Sequence, residues 1–385
     1  GDNRDHALEW VEARVNGDVI IDYCMPWVTL AEDQGSSHVF TISLSDLTVI
    51  SSFNNAALLT TDKLVVNGNL FSDNDWRLPA LWDIDLSFSK STIWLLYDHV
   101  NMLTDLVRSW ASFTLDPEHT RGLDYFAPIM YTLRIGLVDG FELRLNANQY
   151  NIIESHNDVA NNAYYFIGGS ALGATITMPF VEYEMPFTKI GFNIGCDSPI
   201  YVRLSVPEFH SLRSLSCEPD TANFISLEEI LLTGSYTYFS RTSDDVLDVL
   251  DMTVTLTNPT CVLYSYYLKY FLSLKNNYLG AFQCHMTRGE FLGWGKGSSL
   301  GHEKHIANAL DASVRVHTKG PVSISVPVDM YSSDRTVLAS TQHLSIDVRS
   351  HRSFMQLQLD VSPISLEIPT FANETDSTIA KSLRM

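Results

Sequence analysis

The residues best able to do chemistry in this chain stand in patterns that do not support it. Gly293-Trp294-Gly295-Lys296-Gly297-Ser298-Ser299 has the glycines and lysine of a phosphate loop. It lacks the G-x-x-x-x-G-K-[ST] spacing that wraps backbone amides around a phosphate, and reads as a surface loop. His302-Glu303-Lys304-His305 places its second histidine three residues after the first rather than four, which spoils the helical geometry by which H-E-x-x-H holds zinc. Asp244, Asp245, Asp248 and Asp251 are interleaved with Val246, Leu247, Val249 and Leu250 without the glycine and oxygen-ligand spacing of a calcium loop, so a solvent-facing turn or short helix is expected there. No G-x-S-x-G elbow is present, and no spacing pairs any of the 12 histidines with a nucleophile. Neither catalytic residues, metal ligands nor a cofactor are expected.

The five cysteines, Cys24, Cys196, Cys217, Cys261 and Cys284, are odd in number, widely spaced and without a C-x-x-C pair. They read as reduced thiols of a cytosolic protein rather than as a disulfide framework or a zinc site. The formal net charge of −20, from 45 acidic and 25 basic residues, excludes a phosphate backbone as partner and disfavours lying flat on an anionic bilayer. No nucleic acid is expected. Hydrophobic residues make up 45% and charged residues 18% of the chain, so it folds and has apolar surface left over. No apolar run reaches the roughly 18 residues that span a bilayer. Gly1 to His6 are polar, and the missing initiator Met makes residue 1 an unexpected natural start.

The elements that would carry these residues are strands. Trp82, Ile84, Leu86 and Phe88 alternate with Asp83, Asp85, Ser87 and Ser89, placing one set on each face of a pleated strand. The same period carries Tyr131, Leu133, Ile135 and Leu137, then Phe141, Leu143 and Leu145, with Asp139-Gly140 between them as a predicted hairpin turn. It returns in Leu172 to Met178, Ile190 to Ile194, Ile200 to Val206, Met252 to Leu256, the Tyr-rich run Cys261 to Leu274, Val322 to Val328, Leu344 to Val348 and Met355 to Leu359. About fifteen strands are expected. Helical spacing is confined to His99–Phe113 and Glu208–Leu215, with weaker hints at 303–310. Between the two helices, Asp124 to Pro207 holds five strands in a row, a repeat of five strands and then a crossing segment. Loops are expected at Ser72–Arg77, Thr114–Gly122, Pro219–Ser226 and Gly293–Gly301, and a tail beyond Thr370.

With so few helices, a sheet of this extent has two ways to cover its apolar face. It can pack as tandem β-sandwiches, giving a structural or interaction protein, or curl into a trough filled by ligand. Periodicity alone does not separate them. A lipid hydrolase or transferase would need carboxylates on the apolar face, whereas Asp83, Asp85, Glu142 and Asp347 alternate onto the polar one.

Several segments together resemble one family. They are Pro26-Trp27; Leu81-Trp82-Asp83-Ile84-Asp85-Leu86-Ser87-Phe88 followed by Tyr97-Asp98-His99 and Leu103-Thr104-Asp105-Leu106; Tyr131-Thr132-Leu133; Asn148-Gln149-Tyr150-Asn151-Ile152-Ile153; Met178-Pro179-Phe180; Tyr270-Phe271-Leu272 with Asn277-Tyr278-Leu279-Gly280; and Leu357-Gln358-Leu359-Asp360-Val361-Ser362-Pro363. In order and spacing they resemble the bridge-like lipid transfer proteins of the Tweek (cold-sensitive fermentation) branch, from about residue 20 to 368.

The resemblance implies a mainly β fold: an elongated, curled antiparallel sheet of repeating five-strand β-groove units with short crossing helices and an open hydrophobic trough. Its expected divisions are a first groove portion at 1–97, a crossing helix and loop at 98–123, a five-strand unit at 124–207, a second crossing helix and loop at 208–227, a following groove portion at 228–368 with a long loop at about 280–308, and a tail at 369–385. The implied cargo is phospholipid, conducted between the endoplasmic reticulum and another membrane at contact sites. The anchor would be a transmembrane helix upstream of residue 1, and adaptor proteins are possible partners. The trough lining expected on this reading is Ile84, Leu86, Phe88, Leu133, Ile135, Leu143, Leu145, Ile176, Ile190, Phe192, Val202, Leu204, Val322, Ile324, Val326, Leu357 and Leu359.

Overall fold

The computed structural model describes residues 10–24, 35–51, 57–73, 75, 78–95, 129–149, 162–180, 187–206, 223–239, 247–279, 309–328, 336–351, 353–368 and 383–384. In chain order the strands are β1 (Val11–Val15), β2 (Val19–Cys24), β3 (Ser36–Ser51), β4 (Ala57–Ser72), β5 (Ala80–Leu95), β6 (Ile129–Asn146), β7 (Tyr164–Gly169), β8 (Leu172–Phe180), β9 (Phe187–Cys196), β10 (Ile200–Ser205), β11 (Asn223–Leu227), β12 (Glu229–Phe239), β13 (Leu247–Thr257) and β14 (Thr260–Val262). Helix α1 (Tyr267–Leu279) follows, and then β15 (Ala309–Lys319), β16 (Val322–Pro327), β17 (Thr336–Thr341), β18 (Leu344–His351), β19 (Phe354–Val361), β20 (Ser365–Glu367) and β21 (Leu383–Arg384). All the strands lie in one sheet, which is not closed into a barrel.

Most of the shorter strands are halves of a single ribbon. β1 and β2 both run antiparallel along β3, at Leu47–Ser51 and Val39–Leu44. β7 and β8 likewise share β6, and the pairs β9/β10, β11/β12, β13/β14, β15/β16, β17/β18 and β19/β20 continue the pattern. The ribbons follow one another in chain order. Neighbours are antiparallel except at β5–β6 and at β13/β14–β15/β16, which are parallel. Five ribbons, β6 through β13/β14, lie between those two joints.

Every ribbon breaks at the same level, and the breaks line up as a seam across the sheet. Among the described residues all the positive-φ positions fall on it: Asp46 (54°), Lys90 (49°), Asp139 (59°), Gly140 (105°), Asn258 (47°) and Gly320 (80°). A bulge inserts a residue without moving the flanking side chains to the other face. The apolar series therefore slips phase across the seam, from Leu44 to Leu47 in β3 and from Leu227 to Ile230 in β11/β12, while staying on one side. On the other side the seam residues Asp18, Asp46, Asp62, Lys90, Asp139, Asp197 and Glu228 are exposed. The apolar-side residues flanking the break are buried instead: Leu47, Leu137, Phe141, Ile200, Leu227 and Val322 are each less than 9% exposed. Water on one side and crowding on the other define a bend that is concave toward the apolar face.

Backbone groups at the bend remain paired. Gly17 N donates to Ser45 O (3.1 Å), Gly140 N to Ser170 O (2.8 Å) and Asn258 N to Lys319 O (2.9 Å). Asn258 Nδ2 also donates to Glu228 Oε2 at 2.6 Å, and Ser89 Oγ to Asp139 Oδ2 at 2.7 Å.

Several expectations are corrected. Asp139-Gly140 is a bulge inside the continuous strand β6 rather than a hairpin turn, because β5 runs alongside both halves in one parallel ladder. The strands expected within 124–207 are β6, β8, β9 and β10, several of them halves of one ribbon, because interruptions at the seam had the composition of turns. Residues 223–227, placed in a crossing segment, are β11, antiparallel to β10. The Tyr-rich run leaves the sheet after β14 and becomes α1, since Tyr267, Tyr270, Leu274 and Asn277 repeat at helical spacing. Ala309 and Leu310, within the helical hint at 303–310, begin β15. Asp248 and Asp251 lie on β13, where Asp248 is buried and accepts a 2.8 Å bond from Tyr236 Oη. The segments His99–Phe113, Glu208–Leu215, Gly293–Ser299 and His302–His305, and the tail apart from 383–384, lie outside the described residues.

α1 runs along the rim of the sheet. Tyr267, Tyr270 and Leu274 pack on Leu145, Tyr165, Val202 and Leu204 of β6, β7 and β10. At its far end Asn277 Nδ2 donates to the carbonyls of Asn146 (3.1 Å) and Asn148 (2.9 Å), and the Asn146 amide donates to Tyr278 Oη (3.0 Å). Thirteen residues make a rod of about 20 Å. That matches the four ribbon spacings of about 4.8 Å separating β14 from β6.

Candidate functional site

The strand register carries apolar side chains across the sheet in unbroken rows. Below the seam one row reads Ile21, Ile42, Val66, Leu86, Ile135, Ala174, Ile194, Leu232, Val254, Val316, Ile346 and Leu359, each directly opposite the next. Above it a second reads Ala13, Val49, Leu59, Ile93, Leu143, Ile167, Val202, Ile225, Cys261, Ile324, Ala339 and Leu366. Neither row contains an ionisable residue other than Cys261. One position along each strand, on the opposite face, the register reads Asp22, Thr41, Asn67, Asp85, Arg134, Thr175, Asn193, Thr233, Thr253, Arg315, Asp347 and Gln358. That row is entirely polar.

The seam folds the two apolar rows toward each other as the walls of a trough. On β5 the lower arm, Ala80–Ser89, is about 33 Å long, and on β6 the upper arm, Phe141–Asn146, about 20 Å. Each exceeds the roughly 15 Å that one leaflet's acyl chains occupy in a bilayer. The wall residues are half-buried by their neighbours in the row. At the two edges, where no further strand pairs with β2 or β19 among the described residues, Ile21 is 65% and Leu357 63% exposed.

All seventeen residues expected to line the trough lie on the apolar face. Leu86, Ile135 and Leu359 stand in the lower row above. Ile84, Leu133, Ile176, Phe192 and Leu357 form the adjacent row toward the rim, with Ile190 one step beyond, opposite Tyr236. Phe88 lies next to the bend, opposite Leu64. Leu143, Val202 and Ile324 are in the upper row, with Val322 and Val326 flanking Ile324 on β16. Leu145, Val202 and Leu204 pack under α1, and Leu204 is only 2% exposed. These three support the helix, and over them the helix is the exposed surface.

Sequence reasoning placed 1–97 in a groove portion but named no wall residue of the first three ribbons, leaving out Ile21, Ile42, Val66, Val49 and Leu59, and it also left out Ile93, Ile167 and Ile225. The signal was present as Phe40, Ile42 and Leu44 against Thr41 and Ser43. The phase slip at Ser45-Asp46 cut each long strand into two short, contradictory runs.

Most ionic side chains stand on the outer face, several of them paired there, while Asp248 lies buried on the apolar face of β13 at the far end of the strand, held by Tyr236. Arg134 bonds Asp85 at 3.0 Å and reaches Asp83 at 3.5 Å, and the bond to Asp85 holds its guanidinium above its ordinary pKa. Arg144 meets Glu142 at 2.6 Å, Arg315 meets Asp251 at 3.5 Å and Arg349 meets Asp311 at 3.3 Å. On the inner face burial does the reverse. It pushes the Cys261 thiol up to about 11 and raises Tyr131, whose ring stands edge-on to Trp82 at 5.4 Å. Cys24, Cys196 and Cys261 are free thiols. Among the described residues no cluster of His, Cys, Asp or Glu could hold a metal ion, and no helix is long and apolar enough to cross a membrane. What the arrangement can do is solvate hydrocarbon along a continuous path.

No protein-family model matches the chain. Curated relatives do. It is 22% identical over 261 residues to Protein CSF1 of Saccharomyces cerevisiae, which covers 68% of this chain and 8% of that protein. Over 284 residues it is 23% identical to Protein CSF1 of Eremothecium gossypii, covering 74% and 9%. Human bridge-like lipid transfer protein family member 1 is 22% identical over 179 residues, or 46% of this chain and 3% of the relative. The chain thus spans less than a tenth of the length of these relatives. Csf1 and bridge-like lipid transfer protein family member 1 are homologues of this chain, and its likeness to the Tweek branch of bridge-like lipid transfer proteins is one of sequence as well as of sheet.

Proposed function

We propose that this chain is a segment of a lipid conduit, in which phospholipids move along the trough with acyl chains against the apolar rows and headgroups at the open rim. The observation that carries the reading is the pair of rows running through twelve ribbons without a charged residue and, among the described residues, without a second layer of sheet over them. A sandwich would have buried those rows against a partner sheet.

Each methylene kept from water is worth about 0.8 kcal/mol, so two chains crossing water unaided face a barrier the walls remove. Apolar contacts are non-directional, which suits sliding and gives weak selectivity among chains. The segment moves lipid rather than transforming it: Asp83, Asp85, Glu142 and Asp347 are on the outer face, away from any bound chain, and Asp248, on the apolar face, is tied up by the Tyr236 hydroxyl. Within a much longer protein of the kind its relatives represent, it would form part of a bridge from the endoplasmic reticulum to another membrane at a contact site. The membrane anchor and adaptor contacts would be supplied elsewhere in that protein.

Native mass spectrometry and vesicle-to-vesicle transfer of a fluorescent phospholipid test this. The chain should carry phospholipid, and Ile346→Asp with Ile324→Asp should lose both binding and transfer while keeping the β circular dichroism. A folded double variant with undiminished lipid content and transfer would sink the conduit reading.

A further inference from the structure

Helix α1 is apolar around more than half of its circumference. Tyr267, Tyr270 and Leu274 are turned into the wall, while Leu268, Phe271 and Leu272 are 64%, 50% and 48% exposed. A rim helix with a single anchoring role needs only the first set, and its far side should be polar. The far side instead continues the trough. Because α1 rests on Leu145, Tyr165 and Leu204, which extend the apolar face beyond the upper row, its outward side takes over as the surface that a bound chain would meet there.

Charge on the helix is also out of keeping with the rest of the chain. In a protein of net charge −20, α1 carries Lys269 and Lys275 and no acidic residue. Both lysines are exposed. At 100° per residue Lys275 falls between Phe271 and Leu268 within the exposed stripe, and Lys269 lies about 60° beyond Leu272. Lys269 Nζ stands 5.0 Å over the Tyr270 ring, which orients it without neutralising it. Apolar side chains interspersed with exposed ammonium groups that have no acidic partner among the described residues match a molecule that is hydrocarbon at one end and a phosphodiester anion at the next.

We infer that α1 is a phospholipid-binding rim: Leu268, Phe271 and Leu272 take an acyl chain at the mouth of the trough, and Lys269 and Lys275 take the headgroup phosphate. This rests on the conduit reading and adds to it a place where a phosphate-bearing lipid is preferred over a neutral one. The walls alone provide no such preference. A bilayer surface would be held off by the acidic outer face, so the occupant is a single lipid in the trough.

The test uses the full chain with benzoylphenylalanine placed either at the exposed position Leu272 or at the wall position Ile346. It is loaded from vesicles containing radiolabelled phosphatidylglycerol or, separately, radiolabelled diacylglycerol with the same chains. Both positions should cross-link phosphatidylglycerol. Lys269→Gln with Lys275→Gln should lower cross-linking of phosphatidylglycerol at 272 at least threefold, and leave both diacylglycerol at 272 and either lipid at 346 unchanged. Labelling at 346 without labelling at 272 overturns the rim inference and leaves the conduit intact. Labelling at neither position overturns both. Labelling at 272 that ignores the lysines and the headgroup overturns the phosphate assignment.

Discussion

Phe192 lies flat across Gly234, its direct partner on the neighbouring ribbon, so closely that a Cβ built on the glycine would stand 2.8 Å from the ring's Cζ. The same relationship joins Phe40 to Gly68, in the same row five ribbons away. Each ring paves the wall instead of projecting from it, and the missing side chain opposite is what lets it lie down.

Gly234→Val should therefore act twice. The new branch meets both the ring and the Asp251 carbonyl. It is expected to cost about 1–3 kcal/mol in urea unfolding and to raise Phe192 into the trough, slowing phospholipid transfer beyond what the loss of folded protein explains. Adding Phe192→Ala should recover transfer, though not stability. If transfer in the double variant stays as slow as in Gly234→Val, the ring does not set the clearance.

At the seam it is conformation that makes glycine necessary. Gly320 has φ 80°, and a Cβ there would collide with the Asn258 side chain on the adjacent ribbon. Gly320→Val is expected to destabilise by about 2 kcal/mol or more. Gly173 is also in a strand, but has no neighbour nearer than 3.7 Å to its would-be Cβ, and Gly173→Ala should stay within about 0.5 kcal/mol of the parent. Equal effects of the two changes in a denaturant titration would argue against a strained bend.

Alkali should release the rim before the walls. Burial pushes the Tyr267 hydroxyl up to about 12 against a hydrogen bond with Tyr266 that lowers it, and burial likewise raises Tyr165 and Tyr266. The folded value lies above the unfolded one of about 10. The stability these neutral phenols provide is thus complete below pH about 10 and drains away as pH rises toward 12. Phenolate absorbance should lag behind that of exposed tyrosines, and the helical ellipticity of α1 should fall in the same window. Simultaneous titration of all tyrosines near pH 10 would contradict the burial of this cluster.

Much of this was legible in the residues. Ile84, Leu86 and Phe88 against Asp83, Asp85 and Ser87 declare a strand with one wet and one dry face, because the period of a pleat is two and no other element shares it. The relatives' motifs supplied the trough. α1 was harder: Tyr264, Tyr266, Tyr267 and Tyr270 satisfy both a strand's aromatic preference and a helix's spacing, and only their packing on Leu145 and Leu204 decides between them. The seam was hardest, since Asp139-Gly140 has the composition of a hairpin turn and becomes a bulge only because β5 runs past both sides of it.

Sequence by itself determined which side chains can face water and which cannot, strand by strand, because that choice rests on the chemistry of each residue and the two-residue period. It could not decide how the faces of different ribbons are brought into line. That depends on register, and register is set by backbone pairing between residues as far apart as Ile21 and Ile42 or Val254 and Val316. Only the tertiary structure aligned the breaks into one seam, turned a two-faced sheet into a trough, and laid α1 along its rim.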